Sequence, residues 1–324
     1  MSKKILITGG LGLIGHNVAH RLEKLGHKVV ITDTKTNYGI IPEDEIKYLM
    51  NERIKKIRNS MMYQFDICDK RNMEWLFAGN NFDIVIHMAS FPRQKVVNAD
   101  PVWGSRVMSE GLLNLLENSK KFNVNKFVYI SSSMVYGDFT DDVTEDAICN
   151  PQGQYGIMKL AGEWLVKDYS RRNCFNHTII RPSAVYGPFD VEDRVIAKFI
   201  LTAMRGNMLN VNGAGETLDF TYVEDAADGI VAASLSDNTS NKTYNITKSH
   251  SRTLLEAAEL AVKIAGKGSI NVRDKDADFP SRGALNIDAA RKDFGYDPKV
   301  DVEEGFQRYY DWLSTSDYWR AKIG

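Results

Sequence analysis

The chain has 324 residues, and its 41 Lys and Arg against 42 Asp and Glu give a formal net charge of −1. That length allows a well-buried core and two lobes, and the charge balance excludes a basic nucleic-acid stripe or a charged tail. The first apolar run, Ile5-Leu6-Ile7, is too short for a signal peptide or a membrane span. Cys68, Cys149 and Cys174 are odd in number and widely spaced, which fits reduced thiols in a cytoplasmic protein and no disulfide framework or metal site.

In chain order, β-branched and aromatic runs predict strands at 5–8, 29–33, 62–66, 84–87, 127–131, 178–181 and 243–246. They are nearly continuous in apolar residues, as strands covered on both faces are. Between them, Ile14, Val18, Leu22 and Leu25 make one apolar stripe at helical spacing, and Leu112, Leu113, Leu115 and Leu116 mark another. The Lys-rich stretch 51–58 reads as a solvated helix face. This alternation predicts an α/β fold with right-handed crossovers, a Rossmann-type doubly wound parallel sheet. After Arg181 the rhythm weakens at Pro182, Gly187, Pro188, Gly206, Gly213 and Gly215, and 243–246 reads as a late return to the sheet. The expected division is a nucleotide-binding lobe over 1–181 plus about 217–247. A smaller C-terminal α/β substrate lobe takes about 182–216 plus 248–324.

The first strand ends in Thr8-Gly9-Gly10-Leu11-Gly12-Leu13-Ile14-Gly15. Gly9 allows a tight turn, Gly12 lets backbone approach a pyrophosphate, Gly15 lets helix and strand pack, and the helix N-terminus faces phosphate charge. The strand before, the helix after, and Asp33 at the end of a second strand supply the context a dinucleotide fingerprint needs. Asp33 is placed to accept both adenosine ribose hydroxyls and to repel a 2′-phosphate, so NAD is the expected cofactor. A helix or turn cap is its alternative role. Asp66 and Ile67, after the third strand, are placed to flank the adenine, against the alternative of a surface turn.

Tyr155 and Lys159 stand at i and i+4 on one helix face, downstream of a strand that closes in Ser131-Ser132-Ser133. Alcohol oxidation needs a base for the hydroxyl proton as hydride leaves carbon. A tyrosine with its ordinary pKa of about 10 is a poor one. A nearby cation, Lys159 or the nicotinamide, favours the phenolate. A serine hydroxyl holds the substrate oxygen beside it.

Together these segments resemble the extended short-chain dehydrogenase/reductase family that acts on nucleotide sugars, nearly end to end. The landmarks are TGGLGLIG (8–15), Asp33, HMAS (87–90), SSSMVYGD (131–138), YGIMK (155–159), RPSAVYGP (181–188) and DFTYVEDAA (219–227). The resemblance implies a Rossmann lobe for NAD, a C-terminal lobe for the nucleotide sugar, and a homodimer built on helices near 102–121 and 154–172. It implies Ser132 as the catalytic serine, Tyr155 as base and Lys159 as its partner, which also holds the nicotinamide ribose. Leu13 and Ile14 join the glycines, and Met88, Ala89 and Ser90 run along the cofactor. On the substrate side it implies Ser133, Met134 and Ser183, with Arg282 gripping a pyrophosphate.

The departures bear on the reaction. The family's 4,6-dehydratases carry an Asp/Glu pair after the catalytic residue, where this chain has Ser133 and Met134. A thioether is neither acid nor base, so dehydration is disfavoured. Met108 stands where many relatives have Asn, Ala184 replaces a frequent Asn, and Leu218 replaces a frequent Arg. Arg93 adds a cation after the fourth strand, either a substrate contact or a surface arginine. The expected reaction is NAD-dependent oxidation of a sugar's carbon-4 hydroxyl to a ketone, on a GDP-linked sugar such as a manno-heptose, for polysaccharide biosynthesis. A 4-epimerase is the alternative and a non-catalytic NAD-binding protein the remote one. No nucleic-acid or membrane partner is expected.

Overall fold

All seven predicted strands form, within three residues at their ends, and join one parallel sheet in the computed structural model, which describes residues 1–39, 41–275 and 280–324. They are β1 (Lys4–Thr8), β2 (Lys28–Thr32), β3 (Met61–Tyr63), β4 (Ile84–His87), β5 (Lys126–Ile130), β6 (Asn176–Pro182) and β7 (Lys242–Ile246). Their spatial order is β7-β6-β5-β4-β1-β2-β3, with Ile5 beside Val29 on one side and Ile84 on the other. The order reverses between β1 and β4. Such a switch opens a crevice at the carboxyl ends of the strands, where doubly wound sheets bind ligands.

Both faces of the sheet are covered, which explains why the strands do not alternate. Ile5 and Ile7 pack on one face with Val18 and Leu22 of α1 (Leu13–Lys24) and with Ile230 of helix Val223–Leu235. Leu6 and Val30 pack on the other with Leu115 of α3 (Leu112–Lys121) and Val166 of α4 (Gly153–Arg171). Burying each such side chain contributes about 1.5–3 kcal/mol. Two residues assigned to these stripes point elsewhere. Helix α1 stops at Lys24, so Leu25 lies exposed at its C-cap, and Leu113 faces outward from α3.

A larger correction concerns 51–58. This stretch ends α2 (Glu43–Lys56), but Arg53 is buried rather than solvated. Its guanidinium donates to the backbone carbonyls of Leu11 (2.9 Å) and Phe189 (2.6 Å). Ahead of α3 the chain passes from helix Pro101–Ser105 through a π-helical turn, Arg106–Gly111. Gly111 packs closely there: a Cβ would lie 2.6 Å from Ile67 Cδ1, and the Ile67 side chain would have to shift.

The smaller core holds Phe199, Leu209, Phe220, Ala258, Phe306 and Trp319, from helices Val195–Met204, Leu254–Ala265, Val302–Thr315 and Asp317–Ile323 and the short strands beside them. Ile287 and Ala290, late in the chain, pack instead into the core of the main sheet. Helix α2 is tied to the C-terminal segment by Tyr48 to Ser316 (2.7 Å) and Tyr318 to Asp44 (2.8 Å). Among the described residues, no helix is long and apolar enough to cross a membrane.

Candidate active site

The glycine turn lies at the switch point. Gly9 has φ +69°, and a Cβ there would sit 2.7 Å from Ala89 Cα; at Gly15 it would sit 2.5 Å from the Gly9 carbonyl oxygen. The turn therefore presses against the segment after β4, where the Met88 and Ala89 amides donate to the Thr8 carbonyl (3.0 Å) and hydroxyl (3.3 Å). Ser90 donates to the Phe91 carbonyl (3.0 Å). Leu13 and Ile14 open α1 against Val185 and Val223. Asp33, just past β2, accepts from the Leu11 amide at 3.0 Å and the Lys35 amide at 2.8 Å. Burial pushes its carboxyl above the ordinary range, and these two bonds oppose that rise. Asp66 accepts from the Cys68 amide (2.8 Å), while the Ile67 side chain turns into the core, so only backbone at 67 can meet a ligand. A bare glycine cradle, a helix N-terminus and a carboxylate beyond the second strand fit a dinucleotide.

Ser132, Tyr155 and Lys159 come together beside this cradle. Lys159 is 4% exposed, donates to the Ile130 carbonyl at 2.8 Å, and has its Nζ 5.8 Å from the centre of the Tyr155 ring. The sequence predicts a lowered tyrosine pKa, and the chain by itself does the reverse. Burial pushes the Tyr155 phenol up; a hydrogen bond from Ser132 and the charge of Arg194 oppose it. Burial likewise pushes Lys159 down, to about 7. Desolvation outweighs the local charges here, because both groups stand in low dielectric. Met108 belongs with Phe91, Val96 and Val97 to a small apolar cluster against which Tyr155 packs.

The substrate-side residues divide. Ser133 donates to Ser183 at 3.2 Å, and both are buried, as is Met134. Arg282 has its Nε buried with no hydrogen-bond partner among the described residues, and burial pushes its guanidinium down to about 10. Arg93 is engaged within the chain: it pairs with the Asp193 carboxylate and donates to the Asp193 carbonyl at 2.9 Å, with Lys95 on the same carboxylate. It thus clasps the loop after β4 to the segment after Pro188.

Sequence reasoning missed three residues near this site. Arg53 braces the glycine turn through Leu11, and its place on the apolar spacing Ile46, Leu49, Arg53, Ile57 was the available signal. Arg194 lies close enough to Tyr155 to act on its charge. Glu163, four residues past Lys159, forms a fully buried pair with Arg181 at 2.7 Å.

Fold and site define an oxidoreductase-type enzyme with a Ser-Tyr-Lys group at a dinucleotide crevice. The chain belongs to the NAD dependent epimerase/dehydratase family, whose profile matches residues 5–247. An uncharacterized UDP-glucose epimerase, YtcB, of Bacillus subtilis (strain 168) is 27% identical, covering 96% of this chain and 98% of its own. The dTDP-D-glucose 4,6-dehydratase of Homo sapiens is 27% identical over 96% and 90%. The solved UDP-glucuronic acid 4-epimerase from Bacillus cereus, in complex with UDP-glucuronic acid and NAD, superposes with a TM-score of 0.88 at 27% identity, over 96% and 99%. The protein is accordingly an NAD-dependent enzyme of the nucleotide-sugar epimerase and dehydratase type.

Proposed function

We propose that the protein oxidises carbon 4 of a nucleotide-activated sugar and returns the hydride to the opposite face of the ketone, as a 4-epimerase. The carbon-4 oxidation rests on the assembled Ser132, Tyr155 and Lys159, and Ser133 and Met134 beside Ser132 supply no acid or base for removing water. Ser132 orients the 4-hydroxyl and Tyr155 takes its proton. Lys159 holds the nicotinamide ribose and offsets the phenolate charge. NAD bound in this crevice would supply the hydride acceptor for carbon 4 and the donor for its return. Gly9, Gly12, Gly15 and Asp33 hold the cofactor, and Arg282 meets the diphosphate of the substrate. The solved 4-epimerase above supports this outcome and makes UDP-sugars the first substrates to try.

A second reading is that the ketone leaves, making the protein a 4-dehydrogenase on a GDP-linked sugar such as a manno-heptose. The triad serves this outcome equally, and Ala184 and Leu218 depart from residues with which relatives meet the sugar and diphosphate, so the substrate panel includes GDP-sugars. The test is a panel of UDP-, dTDP- and GDP-sugars analysed by mass spectrometry and NMR. Unchanged mass with a new spectrum is epimerisation, loss of two hydrogens is oxidation, and loss of water refutes the argument from Ser133 and Met134. A Tyr155→Phe variant as active as wild type overturns the catalytic assignment.

The working unit on this reading is a homodimer. Leu113 of α3 and Ile157 and Trp164 of α4 are exposed apolar side chains on the two helices the resemblance assigns to it. Apolar faces of this kind mark interaction sites.

A further inference from the structure

The end of β5 is fastened to α4 at three successive residues. Tyr129 donates to the Lys159 carbonyl (3.4 Å), Lys159 Nζ donates to the Ile130 carbonyl (2.8 Å), and Ser131 donates to Glu163 Oε1 (2.6 Å). The approach depends on Gly162, where a Cβ would lie 2.2 Å from the Tyr129 hydroxyl. Ser132 is the next residue, so this fastening sets where its hydroxyl stands relative to Tyr155.

Glu163 is the far anchor. It is 1% exposed, and Arg181 of β6 binds both its oxygens, Nε to Oε1 at 2.9 Å and Nη2 to Oε2 at 2.7 Å. Arg181 is itself fixed by donating to the Tyr136 hydroxyl (2.9 Å) and the Glu145 carbonyl (3.0 Å). We propose that Glu163 is a positioning residue: held by Arg181 and Ser131, it keeps the Lys159 ammonium charged and in register with Tyr155 and Ser132.

Other ionisable neighbours do not take this part. His87 of β4 is neutral, since burial pushes it down to about 3. Tyr129 of β5 is a phenol that burial pushes well up. Cys149 and Glu145, before α4, are both pushed up by burial, and His177 of β6 is pushed down to about 4. Arg194 acts on Tyr155 but as a cation. Among the described residues, Glu163 is the anion that opposes the desolvation of Lys159. An ammonium in low dielectric sheds its proton unless an opposite charge is near. A neutral lysine would leave the Tyr155 phenolate without its counter-charge.

The inference rests on the reading of Tyr155 as base, and the test separates the two. Tyr155 and Lys159 titrate as a pair. Removing the anion in Glu163→Gln eases the first deprotonation of that pair while shrinking its phenolate–ammonium fraction. The acid limb of kcat/KM should move about one unit to lower pH, and the plateau should fall about tenfold or more. In Glu163→Gln/Arg181→Gln, which restores the charge balance, the limb should return toward wild type. A tyrosinate absorbance titration of the free protein, read as its difference from the matching Tyr155→Phe protein, should show the same order without turnover. A folded Glu163→Gln protein whose limb and tyrosinate titration stay at the wild-type pH overturns the proposal. If Tyr155→Phe itself remains active, the reading of the base fails instead.

Discussion

Replacing Asp33 by Asn should remove most of the NAD affinity and narrow the preference over NADP. Two carboxylate oxygens offer about four acceptor positions. The chain uses two, for the Leu11 amide at 3.0 Å and the Lys35 amide at 2.8 Å, which leaves one on each oxygen for the ribose hydroxyls. An amide keeps a single oxygen, and its NH2 group would face one of those backbone donors. One ribose bond is therefore lost and the other becomes neutral. Hydrogen bonds to a charged acceptor contribute ~1.5–3 kcal/mol, so the combined loss is about 2–4 kcal/mol, or about 30- to 700-fold in Kd. NADP should suffer less, because the variant also removes the repulsion of the 2′-phosphate. Fluorescence titration with NADH and NADPH measures both, alongside a melting curve. Since burial raises the Asp33 carboxyl, wild-type affinity should fall on acidification at a pH where an ordinary carboxylate is still ionised. The variant should lack that fall. A folded variant with the wild-type ratio of NAD to NADP affinity refutes the reasoning.

Three further outcomes follow from the geometry. Arg93→Ala and Asp193→Ala should raise the substrate KM alike, because each opens the same clasp; an effect confined to Arg93→Ala in steady-state kinetics would make Arg93 a substrate contact. Ala184 has φ +37°, a strained region for any residue with a Cβ. Ala184→Gly should therefore gain up to about 1 kcal/mol in urea unfolding, and a loss of stability would show the strain is absent. Trp164→Glu should turn a dimer into a monomer in light scattering without lowering the melting temperature of the monomer; an unchanged dimer would place the interface elsewhere.

The sheet was legible because parallel strands buried on both faces must be apolar at nearly every position. Local runs such as Ile5-Leu6-Ile7 and Ile84-Val85-Ile86 therefore carry the whole signal. The glycine turn and the Tyr155–Lys159 spacing were legible for a similar reason: each is a short-range pattern imposed by one turn or one helix. Helix edges were less so, since Leu25 and Leu113 fit the period but fall past a helix end or on an outer face. What spacing could not carry was long-range pairing. Arg53 reads as one more cation in a basic stretch until Leu11 and Phe189 are seen to meet it.

The same limit explains why two arginines that look equivalent in sequence come apart in space. Arg93 has its charge met by Asp193, an ion pair that joins two loops. Arg282 has a buried Nε with no hydrogen-bond partner among the described residues, near the further cation Arg194, and its guanidinium is pushed down by that burial. A cation kept in low dielectric against its own desolvation is stabilised by any anion that arrives. A diphosphate supplies that anion with acceptor oxygens in the geometry a guanidinium matches. On the proposed function Arg282 is thus the arginine whose charge a diphosphate would meet, while the Arg93 charge is already met by Asp193, a division that residue type and order leave open.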